Sequence, residues 1–268
     1  MMHNQRWTVS IGRICQGVGC CCLAAMLPYT VHAADLADTI TRIKPGIVAV
    51  GTVEALRKPS AVLRGSGFVV GDGNQVITNA HVVEAAVELE SKARIAVFSG
   101  TEGDPDMRLA EVVARDTVHD VAILRIQGAP LPALTLGDAA AVREGQQFAF
   151  TGFPLGMMLG LYPVTHRALV SAITQTAVPA NTGHELSGTQ IRQLRNSFEV
   201  FQLDATAYPG SSGSPLYDPA NGRVVGVINK VFVQEGKEHA IDRPSGISYA
   251  VPIGYAESLL LGMRRKIK

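Results

Sequence analysis

Three serines occupy four consecutive positions in the stretch Ala207 to Leu216 (AYPGSSGSPL), as Ser211, Ser212 and Ser214, between glycines and prolines. A serine hydroxyl is a weak nucleophile. It attacks an acyl carbon only when a base takes its proton and fixed donors meet the negative charge growing on the attacked oxygen. The chain supplies a base and an acid for that work, His81 in VITNAHVV and Asp120 in RDTVHDVAILRI. A neutral imidazole accepts the proton, and a carboxylate behind it orients the ring and stabilises its protonated form. Gly210 has no side chain, so a tight turn is open to it, and its N–H can join that of Ser212 as an oxyanion hole. Alone, PGSSGSP would read as a polar turn. With His81 and Asp120 upstream, it reads as the third part of a catalytic unit.

Short runs rich in Val, Ile and Phe must position these residues. GIVAVGTV from Gly46, GSGFVV from Gly65, QVITNA from Gln75, ARIAVF from Ala93 and VAILRI from Val121 read as strands, with Gly, Pro or Asp between them. After Gly128 to Asp138 a second set follows: QQFAFTG from Gln146, ALVSAI from Ala168, EVFQLD from Glu199, RVVGVINKVFV from Arg223 and ISYAV from Ile247. The expectation is two all-β halves, 34–137 carrying His81 and Asp120, and 138–268 carrying Ser212. The link at Gly128 to Asp138 should cross the back of the molecule. Helical periodicity is read only at the end, from Pro252 onward, where Lys and Arg fall in the last turn as the helix dipole favours. The polar segment Thr174 to Glu199 reads as a long loop, either flexible or a switch that orders the site.

Residues 1–33 read as an export signal. Arg6 and Arg13 precede an apolar run of 14 residues, Ile14 to Leu27, then Pro28 and a cleavage pattern at Val31-His32-Ala33. The mature chain is expected to start at Ala34 and to lie in the periplasm or outside the cell. No later stretch reaches the ~20 apolar residues of a membrane span. All four cysteines (Cys15, Cys20, Cys21, Cys22) fall in the signal, which leaves no disulfide or thiolate site in the mature chain. Without Arg6 and Arg13, 22 of the 24 basic residues remain against 23 acidic ones, a balance that argues against nucleic acid or anionic lipid as a partner.

The stretches around the three residues resemble the trypsin-like peptidases, most closely the HtrA/Deg family. Its patterns read approximately GSGF, TNxHVV, DxAxLxI and D-A-x-x-x-P-G-N-S-G-G-P. Here they stand as Gly65 to Phe68, Thr78 to Val83, Asp120 to Ile126 and Asp204 to Pro215, and GFPLG from Gly152 is similar to the family's GNPFG. The likeness runs from about Gly46 to Pro252. It implies an all-β, chymotrypsin-like fold of two packed six-stranded antiparallel barrels, in the chain order His, Asp, Ser. Ser212 takes the nucleophile's place. Ser211 fills a polar, unreactive slot, and Ser214 stands where the family has its second glycine. His119 is expected to face away as a loop residue, and His166, His184 and His239 to be surface or structural.

Relatives that cut after Arg or Lys carry an acid six residues before the nucleophile, where this chain has Thr206. Thr206, Ala207 and either Val227 or Ile228 are therefore expected to line a pocket for a small or medium aliphatic side chain, in unfolded or misfolded polypeptide substrates. A basic preference, served by Asp204, ranks second. No metal, nucleotide or other cofactor is expected, and a homo-oligomer is left open. The family commonly adds a PDZ module, but only 16 residues follow Pro252, against ~50 for a domain, so none is expected in this chain. Two other classes fit the same residues: a catalytically idle, peptide-binding relative, and a secreted esterase using the same triad.

Overall fold

The computed structural model describes residues 35–55, 58–87, 93–101, 104–154, 160–176, 197–229 and 246–266. Residues 1–33, read above as an export signal, and most of the 174–199 segment thus lie outside the described residues. Strands β1 (Ile47–Val53), β2 (Ala61–Val70), β3 (Gln75–Thr78), β4 (Arg94–Thr101), β5 (Asp104–Asp116) and β6 (Val121–Ile126) close a barrel in the order β1-β2-β3-β6-β5-β4. A second closed barrel runs β10-β11-β12-β9-β8-β7. It is built from β7 (Gln147–Gly152), β8 (Val164–Gln175), β9 (Glu199–Asp204), β10 (Pro215–Tyr217), β11 (Val224–Asn229) and β12 (Ile247–Pro252). Neighbouring strands are antiparallel throughout both barrels. Closure gives every strand of the two barrels a neighbour on each side.

Strands β1, β6 and β11 are largely apolar on both faces because both faces are buried. In β1, Val48 and Val50 point into the first barrel while Ile47 and Ala49 point out of it. The same period of two splits β2 (Val69 inside; Phe68 and Val70 outside) and β6 (Ala122 and Leu124 inside; Val121 and Ile123 outside). In the second barrel Phe148, Phe150, Phe201, Leu203 and Ile228 fill the interior, while Ala149, Val200, Tyr217, Val227 and Val251 face outward. The outward sets of the two barrels meet in one continuous core. Phe68, Ile123, Phe153, Tyr217 and Val227 are all 2% exposed or less within it, and each such side chain contributes roughly 1.5–3 kcal/mol.

The link between barrels is extended and bonded to both. Leu131 and Leu134 donate N–H bonds to Gly73 and Val69 of the first barrel, and Gly137 donates to Val224 of the second at 2.7 Å. Among the described residues three α-helices frame the strands: α1 (Leu36–Ile43), α2 (Ala80–Val87) and α3 (Ile253–Lys266). Among the described residues only α3, of 14 residues, is long enough to show a long period, as expected; α1 and α2, of 8 residues each, were not foreseen. The terminal helices cross over. α1 lies against Gly222 in the β10–β11 turn, and α3 packs on β5 and β6 as well as on β11 and β12.

His166, on β8, stacks on Phe150 (centroids 5.0 Å apart), and its buried Nε2 has no hydrogen-bond partner among the described residues. Burial pushes its pKa below the ordinary 6.5. The unfolded chain therefore binds a proton near pH 6.5 that the folded chain refuses. The stabilisation is full above that pH and is lost as pH falls toward the folded value. Thermal melts across pH 8 to 5 should show this decline in the native chain and a flatter profile in His166→Phe; equal slopes would rule the residue out as its source.

Candidate active site

His81 stands in the first turn of α2, directly after β3, and Asp120 stands just before β6. Because β3 and β6 are paired, from Thr78 opposite Ala122 to Gln75 opposite Arg125, the two residues leave the same end of the sheet. Asp120 Oδ1 accepts the His81 backbone N–H at 2.8 Å, and Oδ2 lies 2.6 Å from His81 Nδ1. An ionised carboxylate at that distance draws the ring proton to Nδ1, which leaves Nε2 as the basic nitrogen. Asn79 Nδ2 donates to the Asp120 carbonyl (3.0 Å), and Asn229 Nδ2, from β11 of the other barrel, donates to Asp120 Oδ2 (2.6 Å). The acid is thus held by donors from both barrels.

Asp120 has φ +53°, the left-handed region that Asp enters more readily than most residues. The preceding turn enforces this conformation. Asp116 Oδ1 accepts the N–H groups of Val118 and His119, and Oδ2 lies 2.7 Å from His119 Nδ1. Burial alone would raise the Asp116 pKa, but the bonds from His119 and Val118 outweigh it and hold the carboxyl below its ordinary value. His119 belongs to a turn, as expected, yet its ring is engaged: it stacks on Tyr255 of α3 (3.9 Å, 16° between planes) and meets Phe198 edge-on at 4.7 Å.

Ser212 lies in the loop between β9 and β10 and is 5% exposed. Its carbonyl accepts the Ser66 N–H (2.7 Å). A methyl added to Gly65 would meet Val82, beside His81, at 2.7 Å and the Ser212 carbonyl at 2.9 Å, so the loop and the start of α2 press on the same glycine. The Ser212 hydroxyl itself forms no hydrogen bond among the described residues. The loop's peptide groups are pinned one after another. Ser211 N–H donates to Tyr208 O (2.9 Å), Gly213 N–H to Ile228 O (2.9 Å) and Ser214 N–H to Ser211 O (3.0 Å). Gly213, at φ +88°, has no room for a side chain beside Ser66 and Thr78. Among the described residues, the N–H groups of Gly210 (φ +95°) and Ser212 are the two in Gly210 to Ser214 without an acceptor.

The expected pocket residues divide. Thr206 is half-buried. Ala207 is nearly covered, its N–H donating to Ser248 Oγ at 2.8 Å. Val227 and Ile228 have no exposed surface in this structure: Val227 belongs to the core between the barrels and Ile228 to the interior of the second. Asp204 is exposed at the end of β9. His184 and His239 lie outside the described residues. Asn229 was the functional position not anticipated. Its signal was a lone amide ending the otherwise apolar run VVGVIN.

Comparison with known proteins agrees with this arrangement. The family model described as "Trypsin-like peptidase domain" matches residues 65–227. The protein of Halomonas elongata named "Probable periplasmic serine endoprotease DegP-like" is 34% identical over 193 residues, 72% of this chain and 33% of its own. "Serine protease HTRA2, mitochondrial" of Bos taurus is 31% identical over 221 residues, 81% of this chain and 40% of its own. The chain thus spans about a third of the length of the first of these relatives. The solved HtrA-type protease AlgW with a tripeptide shares the fold, with a TM-score of 0.61 at 24% identity, covering 85% of this chain and 63% of that one. A family model matching more than half of the residues, on two closed barrels that carry the His81–Asp120 pair and the Ser212 loop, assigns the chain to the trypsin-like peptidase family, with HtrA/DegP proteins among its relatives.

Proposed function

We propose that the chain is an exported serine endopeptidase that cleaves unfolded polypeptides through an acyl-enzyme. In this reading Ser212 is the nucleophile, His81 Nε2 the general base and acid, and Asp120 the group that orients the imidazole and stabilises its protonated form. The N–H groups of Gly210 and Ser212 receive the oxyanion. The observation that carries the proposal is the 2.6 Å contact between His81 Nδ1 and Asp120 Oδ2, set beside a serine loop in which those two N–H groups have no acceptor among the described residues.

Attack by Ser212 Oγ on the scissile carbonyl passes its proton to His81 Nε2, and the same proton then goes to the leaving amine. Water repeats the sequence to release the acyl group. None of these steps requires a metal or a nucleotide. Periplasmic location is supported by the names of relatives such as the Halomonas elongata protein. A preference for small or medium aliphatic residues before the scissile bond is supported by Thr206 and Ala207 at the positions before the loop, and by the exposure of Asp204, which would serve a buried cation poorly. The intact His81–Asp120 pair favours a working enzyme over an idle peptide-binding relative.

Two experiments test this. The mature chain, incubated with casein in the presence of a chelator, should release peptides at an undiminished rate, and a serine-directed fluorophosphonate should label it but not Ser212→Ala. Inhibition by the chelator, or equal labelling of both proteins, would point to different chemistry. Kinetics of the variants should then separate the roles. Ser212→Ala and His81→Ala act on one unit, so the double variant should be hardly slower than either alone. Asp120→Asn should cost on the order of 10⁴ in kcat by holding the wrong imidazole tautomer. Hydrolysis abolished by Ser211→Ala but retained in Ser212→Ala would move the nucleophile by one residue.

A further inference from the structure

The hydroxyl of Ser66 has no part in the chemistry above, yet it sits where that chemistry must be aligned. Ser66 lies within β2 of the first barrel and is completely buried. Its Oγ donates to the Gly210 carbonyl (2.7 Å), on the loop of the second barrel, and accepts the N–H of Phe153 (2.9 Å), just after β7. Its backbone N–H goes to the Ser212 carbonyl (2.7 Å), and its own carbonyl accepts Thr78 Oγ1 (2.7 Å), three residues before His81. One side chain from the opposite barrel therefore grips the loop at the residue that offers an oxyanion donor.

The geometry points to Ser66 as a positioning residue for the oxyanion hole, an inference that rests on the reading of Gly210 and Ser212 as its donors. The peptide plane between Gly210 and Ser211 is held at both ends, its oxygen by Ser66 Oγ and its N–H by the Tyr208 carbonyl. With that plane fixed, the direction of the Gly210 N–H is set by the φ and ψ of Gly210. Glycine offers little resistance of its own to rotation, so without the hydroxyl the buried carbonyl would turn in search of a donor and carry the N–H with it.

The surroundings give the hydroxyl no second position. A methyl added to Gly152 would overlap Ser214 Oγ and come within 2.6 Å of Ser66 Oγ, so both hydroxyls crowd one glycine face. Ser214 Oγ, buried and without a partner among the described residues, does not compete for the Gly210 carbonyl. Since the proton of Ser66 is committed to Gly210 and a lone pair to Phe153, the bond forms only when the two barrels are seated together. Oxyanion alignment is thereby conditional on their packing.

Ser66→Ala tests this in the full chain, with active sites counted by exhaustive fluorophosphonate labelling so that any loss of folded protein cancels. The expected result is a fall of about ten- to a hundredfold in kcat per labelled site, by comparison with loss of a whole donor, and a KM for a peptide substrate within about twofold of the native value. Affinity for a peptide boronate, whose tetrahedral adduct puts an oxygen in the hole, should fall in parallel. A native kcat per site, or a loss confined to KM with boronate affinity unchanged, would overturn the inference. Should Ser66→Ala fail to fold, Ser66→Cys keeps the shape with a weaker donor and is read by the same two ratios. Failure of the native chain to label would instead reject the nucleophile, independently of Ser66.

Discussion

Everything proposed for this chain depends on a buried apolar contact between two barrels. His81 and Asp120 come from one barrel and the Ser212 loop from the other, so no site exists until Phe68, Ile123, Phe153, Tyr217 and Val227 share one core. Apolar packing of this kind is strong but carries little directional information. It brings the halves together without setting their alignment to within the roughly 0.5 Å that catalysis needs. The alignment comes from a few polar bonds enclosed in that wall: Asn229 to Asp120, and Ser66 to Gly210 and Ser212. Where water is excluded, a missed bond is costly, and a bond made in one geometry resists any other.

The polar bonds also divide the labour inside the loop. A loop of five residues that offered all its N–H groups to a substrate would be poorly ordered, and one that used all of them internally would offer nothing. Among the described residues, the N–H groups of Ser211, Gly213 and Ser214 are bound within the second barrel, while those of Gly210 and Ser212 have no acceptor. Positive φ at Gly210 and Gly213 lets successive peptides alternate in this way.

Much of this architecture was legible in the residues because the barrel strands are buried on two faces and so appear as unbroken apolar runs, as in IVAV of β1 or VVGVIN of β11. Two strands were not legible, for opposite reasons. β5, DPDMRLAEVVARD, carries charges along much of its length and leaves Met107 and Val112 exposed, so its composition hides its pairing. β10 is three residues, Pro215 to Tyr217, at the end of the serine motif, and it exists as a strand only through β7 and β11. The candidate site was legible as residue types in order. Its supports were not. Asn229 reaches Asp120 across 109 positions of chain and Ser66 reaches Gly210 across 144, and no local pattern encodes a contact of that range.

The crossing of the terminal helices gives the chain a built-in sequence of events. The turn that presents Asp120 is seated on Tyr255 through the ring of His119, and α3 also lies on β5 and β6 of the first barrel. A chain that had emerged only through residue 126 would contain His81, Asp120 and all six strands of its barrel, but not the aromatic seat beneath the acid. The first barrel is therefore finished by residues made more than a hundred positions later, and Asn229, the acid's donor from β11, is also late. Until they are made, the pair has the supports of its own barrel, Asn79 and the Asp116 turn, but not those that Asn229 and Tyr255 provide.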